Sequence, residues 1–500
     1  MLNFIDNFLN KITMYRLMLY FLIVLVVAAV VYSFFGKVPF QPIDLVFSVF
    51  VLIVVSWLTN KVFSRIFVVP SNVESVYITS LILAMIITPP AFGTPIDWSS
   101  ISFLAWVAGL SMASKYILTI RGKHIFNPAA FAVALTAFTI SQSASWWVGT
   151  QVMLPFVLIG GLLVTRKIQR FDLVFSFIIL ALATTILSSP SRSEILFLLK
   201  RILADSPVIF FALVMLTEPL TTPPTRFWRI SYGLLIGLIF GPRFHIGTVY
   251  STPELALLLG NIFSYLVSPK AKYLLTLQSA QEVGKDIYDY VFSPSQKPNF
   301  QPGQYLEWTL GHKNSDTRGN RRYFTIASSP TENEIHLGVK FYPNSSSFKT
   351  ALRILNSGNQ VLAGQLAGEF TMPKNFNDKL TFIAGGIGIT PFRSMIKYLL
   401  DRHEKRDIVL YYCCKTADEL AFKDIFDQAV KQLGIKVVYV IADQSGFLTA
   451  DLIKQQSSDY QLRHYYISGP RGMVVAFKNT LKSMGISGRH IKIDFFPGYV

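Results

Sequence analysis

Several short segments near the C-terminal end carry residues whose types and spacing could do chemistry. The first is Arg322-Tyr323-Phe324-Thr325. Arg322 can grip a phosphate through two parallel N–H bonds. Phe324 offers a flat apolar face, and Thr325 sets a hydroxyl beside it. Next comes Ser345-Ser346-Ser347-Phe348-Lys349, where Ser346, Ser347 and the amides around Phe348 can cradle phosphate. Then an apolar run at Leu380–Ala384 leads into Gly385-Gly386-Ile387-Gly388-Ile389-Thr390-Pro391 and a helical stretch to Leu400. A glycine-rich turn between strand and helix lets a pyrophosphate approach the backbone at the helix start. Ser468-Gly469-Pro470-Arg471-Gly472-Met473 repeats the strand-to-helix change, and Asp494 precedes Tyr499 near the end.

This set matches the needs of a flavin next to a nicotinamide. A flavin ring wants an aromatic or apolar face, a hydrogen-bond donor near N5, and donors for its pyrophosphate. Any one segment could be an ordinary strand or a Ser-rich turn. Their succession is what carries the reading: FAD as bound cofactor, NADH or NADPH as electron donor. Thr325, Thr390, Ser468 and Asp494 are the catalytic candidates. Lys340, Lys349, Gly469, Pro470, Met473 and Tyr499 join the phosphate and glycine residues as cofactor-binding candidates. Lys415 could meet a 2′-phosphate, as could any solvated lysine, so the choice between NADH and NADPH stays open.

The elements that must position these residues change type along the chain. From Tyr273 the pattern is short alternating strands with Gly, Pro and Asn turns, as in an antiparallel barrel. From about Lys379 strands alternate with helices, with strands expected near 408–413 and 436–441. An FAD-binding β-barrel at 273–377 and an NAD(P)-binding α/β domain with a parallel sheet at 378–500 follow. In this order the segments resemble the ferredoxin–NADP reductase superfamily, whose pattern runs R-x-Y-S/T, a phosphate turn, G-G-x-G-x-T-P, C-G-P-x-x-M, and an acidic residue near a terminal aromatic. Phe324 stands where tyrosine is usual, Ser468 where cysteine is usual, and Asp494 where glutamate is commoner. Phe324 keeps the packing face but not the hydroxyl, and none of these changes abolishes hydride transfer, since the flavin does the chemistry and the protein positions the rings.

Residues 1–272 read differently. The chain of 500 residues is 51% hydrophobic and 15% charged, against about 25% charged in an average soluble domain. The charge shortage is concentrated before residue 270. Ten candidate spans of roughly 17–21 residues fall near 15–35, 42–58, 75–92, 100–118, 125–141, 150–165, 171–189, 206–220, 230–243 and 252–268. Loops holding Lys61 and Arg65, Lys115 and Arg121, Arg166 to Arg170, Arg226 and Arg229, and Lys270 and Lys272 are assigned to the cytoplasm by the positive-inside rule. Both termini of a multi-pass cell-membrane protein then face the cytoplasm. The loop at 189–205 fits least well and reads as a surface helix. The net charge of +17 is explained by topology, which argues against nucleic acid as a partner. Only Cys413 and Cys414 are present, too few for a four-thiolate cluster.

The helical half looks internally duplicated. Ile87-Thr88-Pro89-Pro90 parallels Thr217-Glu218-Pro219-Leu220-Thr221-Thr222-Pro223-Pro224, and Phe126-Asn127-Pro128-Ala129 parallels Ser251-Thr252-Pro253-Glu254. Each pair is five spans apart, an odd offset that inverts the second copy. Asn127 and Glu218 then share the inner face, Thr88 and Glu254 the outer one. The stretches GKHIFNPAAF and LTEPLTTPPTR, with the run from Trp146 to Asp172, resemble the Rnf D and NqrB subunits of bacterial membrane redox complexes. That resemblance implies about ten spans in inverted halves and bound flavins. The families' S-G-A-T motif for covalent flavin is absent. Gln142-Ser143-Ala144-Ser145 occupies the matching loop, so FMN or riboflavin held without a covalent link is the expectation. Asn127, Glu218 and Thr222 are its candidate holders.

The expected function is a transmembrane oxidoreductase. Electrons would pass from cytoplasmic NAD(P)H through FAD and membrane-bound flavin to a quinone, ferric ion or extracytosolic flavoprotein. The alternative is a redox-driven ion-translocating subunit of an Rnf- or Nqr-like complex. A bis-haem path is argued against by histidine supply: the helical half holds only His124 and His245, both at span ends.

Overall fold

The computed structural model describes residues 2–67, 73–92, 97–120, 123–188, 195–269, 272–312, 316, 319–343 and 345–495. Arg121, Lys270 and Tyr499, all named above, lie outside the described residues. The chain divides into two compact units, Met1–Lys270 and Ala271–Val500.

The first unit is helical apart from two short ribbons. Among the described residues, three helices are long and apolar enough to cross a membrane, not ten: Met14–Phe34, Pro42–Ile66 and Phe171–Ser188. The reason is local. Val73–Ile86, Pro128–Ile140 and Pro253–Val267 have 14, 13 and 15 residues. At 1.5 Å per residue these reach roughly 20–23 Å, short of a ~30 Å hydrocarbon core. Proline sets their limits. Pro128 and Pro253 open their helices behind the capping side chains of Asn127 and Thr252, and Pro89-Pro90 follows the end of Val73–Ile86. Trp98–Ile117 is long enough but carries Ser99, Ser100, Ser102, Ser111, Ser114 and Lys115. Residues 195–204 form the amphipathic helix expected in the 189–205 region, with Leu196 and Phe197 exposed.

The second unit contains two sheets. Strands β1 (Tyr273–Gly284), β2 (Ile287–Pro294), β3 (Tyr305–Thr309), β4 (Arg321–Thr325), β5 (Ile335–Lys340) and β6 (Gln360–Ala367) form an antiparallel sheet in the order β4-β3-β6-β1-β2-β5. Its two edges meet just beyond β4, where the Ala327 amide donates to the His336 carbonyl (2.9 Å) and the His336 amide to Ser328 Oγ (3.1 Å). Trp308, Tyr290, Phe292 and Phe348 fill its core. Strands β7 (Leu380–Gly385), β8 (Ile408–Cys414), β9 (Lys436–Ile441), β10 (His464–Gly469) and β11 (Ile491–Phe495) form a parallel sheet in the order β9-β8-β7-β10-β11. Its central strand β7 is buried along its whole length. That explains why it reads as an unbroken apolar run rather than an alternating one. The strand order reverses beside β7, and the Gly385–Thr390 turn leaves β7 at that switch point, where open α/β sheets bind ligands.

Candidate functional site

Arg322 is almost fully buried on β4. Its Nη1 donates to the carbonyls of Gly319 (3.2 Å) and Arg321 (2.7 Å), and Nη2 lies 3.9 Å from Asp316 Oδ1. Its guanidinium covers the Phe348 ring at 5.3 Å. Phe324 packs on the same Phe348 ring, with centroids 5.9 Å apart, and Tyr323 meets Tyr305 edge-on. Asp316 also accepts from the Ser347 amide (3.0 Å), while Ser347 Oγ accepts from the Asp316 amide (2.9 Å). One carboxylate therefore sits between Arg322 and the start of the Ser347–Arg353 helix, a position whose donors suit an anion. Ser346 caps that helix, accepting from the Lys349 amide.

The two candidate lysines are committed to the chain. Lys340 pairs with Glu419 at 2.8 Å. Lys349 donates to the Lys340 carbonyl (2.7 Å) and lies over the Tyr342 ring. Lys415 is exposed.

The parallel sheet brings the other candidates to one end. Register sets Ser468 beside Ala384 on one side and Asp494 on the other. The Gly385–Thr390 turn packs directly against them. A Cβ at Gly388 would lie 2.4 Å from the Ser468 carbonyl, and one at Gly385 would lie 2.3 Å from Met473 Sδ. Gly386 adopts φ +52, a left-handed conformation that favours glycine. Thr390 donates its hydroxyl to the Ile387 carbonyl (3.2 Å), and its methyl abuts Gly338 of β5, where a Cβ would be only 2.6 Å away. Pro391 lies in the first turn of the Thr390–Arg402 helix, and Pro470 caps Arg471–Ser483.

Three buried polar atoms at the site are aimed at neither backbone nor side chain among the described residues. Thr325 Oγ1, Ser468 Oγ and Asp494 Oδ2 are buried and make no hydrogen bond among the described residues. Each such atom costs about 1–3 kcal/mol unless something satisfies it. Burial pushes the Asp494 carboxyl up to about 7, so it titrates near neutral pH. Burial likewise pushes the Cys413 and Cys414 thiols up, to about 12 and about 11, which makes them inert packing groups.

In the helical unit the distant prolines do converge. Asn127 Nδ2 donates to Glu218 Oε2 (2.9 Å), and the Asn127 amide donates to Asn261 Oδ1 (2.7 Å). Thr221 Oγ1 donates to the same Glu218 oxygen, and His124 Nε2 lies 3.7 Å from the other. Thr222 donates to the Pro219 carbonyl. At a second cluster Trp146 Nε1 donates to Glu254 Oε2 (3.2 Å). Trp147 Nε1 and the amides of Ser145, Trp146 and Val148 cap the carbonyls that end the Val73–Ile86 helix.

The sequence reading missed Asp316, Trp146, and the pair Arg393–Glu332. Arg393 lies one helical turn beyond Thr390, and a charge on the apolar face of its helix is the available signal.

Residues 382–479 match the family of oxidoreductase NAD-binding domains. Flavohemoprotein A of Dictyostelium discoideum is 24% identical over 229 residues, covering 43% of this chain and 58% of that protein. The glycine betaine monooxygenase reductase subunit of Chromohalobacter salexigens is 25% identical over 210 residues, covering 39% and 56%. The chain thus spans little more than half the length of these curated relatives. A solved structure of the flavohem-like FAD/NAD-binding domain of a nitric oxide dioxygenase from Vibrio cholerae aligns at 20% identity and a TM-score of 0.40, covering 45% of this chain and 98% of that one. Residues 382–479 thus match an oxidoreductase NAD-binding domain, and an antiparallel sheet precedes them in the chain.

Proposed function

We propose that the chain is an NAD(P)H-dependent flavoprotein oxidoreductase whose helical unit carries the electrons onward through a membrane. The observation that carries the first half is the trio of buried, unpartnered atoms on Thr325, Ser468 and Asp494. The reductase-type relatives support it. FAD fits the residues present: Arg322, Ser347 and the helix start would hold its pyrophosphate, and Thr325 would donate toward the ring. Bound FAD supplies the chemistry that turns a two-electron hydride donor into a source of single electrons. The protein's part is placement. Gly388 and Gly469 let the turn and strand β10 pack backbone to backbone, Gly386 leaves open space beside the turn, Ser468 would offer a hydroxyl to the nicotinamide, and Asp494 would offer a carboxylate to its positively charged form.

The second half rests on the resemblance of residues 15–270 to Rnf D and NqrB subunits, on three long apolar helices, and on the convergence of Asn127 with Glu218. Inverted repeats, both termini in the cytoplasm, and FMN or riboflavin near Asn127, Glu218 and Thr222 belong to this reading. Those three side chains are bonded to one another or to the local backbone. A quinone, ferric ion or extracytosolic flavoprotein would be the acceptor. The ion-translocating alternative is weakened at one cluster, because Trp147 and its neighbours already occupy the helix-end carbonyls a cation would use. Flavin analysis of the purified chain with and without acid precipitation tests the reading. It predicts acid-released FAD plus a second flavin. FAD alone would remove the membrane carrier.

A further inference from the structure

The Thr325 edge of the antiparallel sheet and the Thr390 turn of the parallel sheet are joined by a buried polar clamp. Arg393 stands one helical turn after Thr390. Its Nη2 donates to Glu332 Oε1 at 2.9 Å, and its Nη1 donates to Glu332 Oε2 and to the Ala327 carbonyl (3.0 Å). Ala327 lies two residues beyond Thr325. The next residue of the helix, Ser394, donates to the Ser328 carbonyl at 2.6 Å. Glu332 is itself held, accepting from the Ser329 amide at 2.6 Å. The Arg393 guanidinium also lies over the Phe422 ring at 5.5 Å. His336 faces Glu332 at 3.9 Å and bonds Asp289 at 2.7 Å.

A two-pronged ion pair fixes orientation as well as distance. A pair that only had to stabilise could be replaced by apolar packing. Here both prongs land on the loop that leaves the Thr325 strand, and the helix bearing Arg393 starts at the turn that packs on Ser468. The clamp therefore spans the two groups that must hold flavin and nicotinamide in register.

We propose that Arg393 and Glu332 are positioning residues for hydride transfer, their ion pair fixing the Thr325 strand end against the Gly385–Thr390 turn. The proposal rests on the NAD(P)H-to-FAD reading. A misplacement of about 1 Å costs roughly a hundredfold in rate, so weakening the pair should slow the step without abolishing binding.

The test uses the full chain in detergent, mixed anaerobically with NADH or NADPH and followed by flavin bleaching. Glu332→Gln and Arg393→Lys keep size and hydrogen bonding but lose the fork. They should retain FAD, bind nucleotide with apparent affinity within about threefold of the parent, and lower the limiting reduction rate by about 10- to 100-fold. The exchange variant Glu332→Arg with Arg393→Glu restores the pair and should recover most of the rate. Parent-like limiting rates in the single variants would overturn the proposal, as would a loss seen only in nucleotide affinity. If the single variants shed FAD, the exchange variant decides: retained FAD with no recovery of rate overturns it. A parent chain that neither nucleotide reduces would instead overturn the reading beneath it.

Discussion

Asn127 and Glu218, 91 positions apart, meet through a 2.9 Å hydrogen bond from Nδ2 to Oε2. Each belongs to a proline-rich break in a helical run, and each satisfies groups that the break exposes. Asn127 also caps its own helix through the Ala130 amide at 3.0 Å. Asn127→Ala removes the cap and leaves Glu218 short of a donor. A cost of about 1–3 kcal/mol is expected. Thermal unfolding in detergent should fall accordingly. Bleaching of FAD by NAD(P)H should be unchanged, while electron delivery to an added acceptor should drop at least tenfold. Equal loss of both activities would contradict a role beyond the first flavin.

Thr325→Val separates catalysis from stability. The hydroxyl has no partner among the described residues, so removing it breaks no bond seen there and relieves a buried polar group. Stability of the flavin-free chain should stay equal or rise by about 1 kcal/mol. The limiting rate of flavin reduction should fall about tenfold, the worth of roughly one hydrogen bond. A fall in stability with an unchanged rate would place Thr325 in the scaffold only.

Asp494 gives a pH signature. Its carboxyl is pushed up to about 7 by burial. On the proposed reading the carboxylate form would stabilise the positive nicotinamide left by hydride loss. Reduction should therefore accelerate as pH rises through about 7, and Asp494→Asn should flatten the profile at the low-pH level. Stability runs the other way. The folded chain holds this proton between the ordinary aspartate range and about 7, while the unfolded chain has lost it. Stability from this group is thus full at acid pH, declines across that window and levels off above it. Stopped-flow and chemical unfolding from pH 5 to 9 check both limbs.

Asp316 occupies the anion position between Arg322 and Ser347. FAD phosphate would have to share or displace it. Asp316→Asn should tighten FAD binding, by up to about tenfold, because a like charge leaves the site. Weaker binding measured by FAD fluorescence titration would mean that Asp316 orders the site rather than competes for it.

Gly388→Ala tests the close approach of the two nucleotide turns. Its Cβ would fall 2.4 Å from the Ser468 carbonyl, a backbone atom that cannot rotate away. The variant should lose about 1–3 kcal/mol, in the range for overpacking, and should bind nucleotide at least tenfold more weakly.

Much of the second unit was legible because local chemistry dictates it. The glycine turn at Gly385–Pro391, the strands at 408–414 and 436–441 and the buried run of β7 all follow from turn residues and unbroken apolar pattern. What escaped was tertiary. The contact of Phe324 with Phe348 joins two segments that sequence spacing keeps apart. The ion pair of Lys340 with Glu419 is another such contact. Spacing within a segment says nothing of a partner eighty residues away. In the helical unit hydropathy marked apolar stretches but overstated their length. Proline at Pro89, Pro128 and Pro253 shortens the helices in a way that window-averaged apolarity does not register. The pairing of Asn127 with Glu218 was foreshadowed only as a shared face.

The central claim is that this chain binds FAD and reduces it with NAD(P)H. Anaerobic mixing of the purified full chain with each nucleotide tests it most directly, with flavin identity read beforehand. About one FAD per chain, bleached rapidly by at least one of the two nucleotides and slowed by Thr325→Val, is the predicted result. A chain that purifies and reconstitutes without FAD, or whose FAD neither nucleotide reduces, would contradict it.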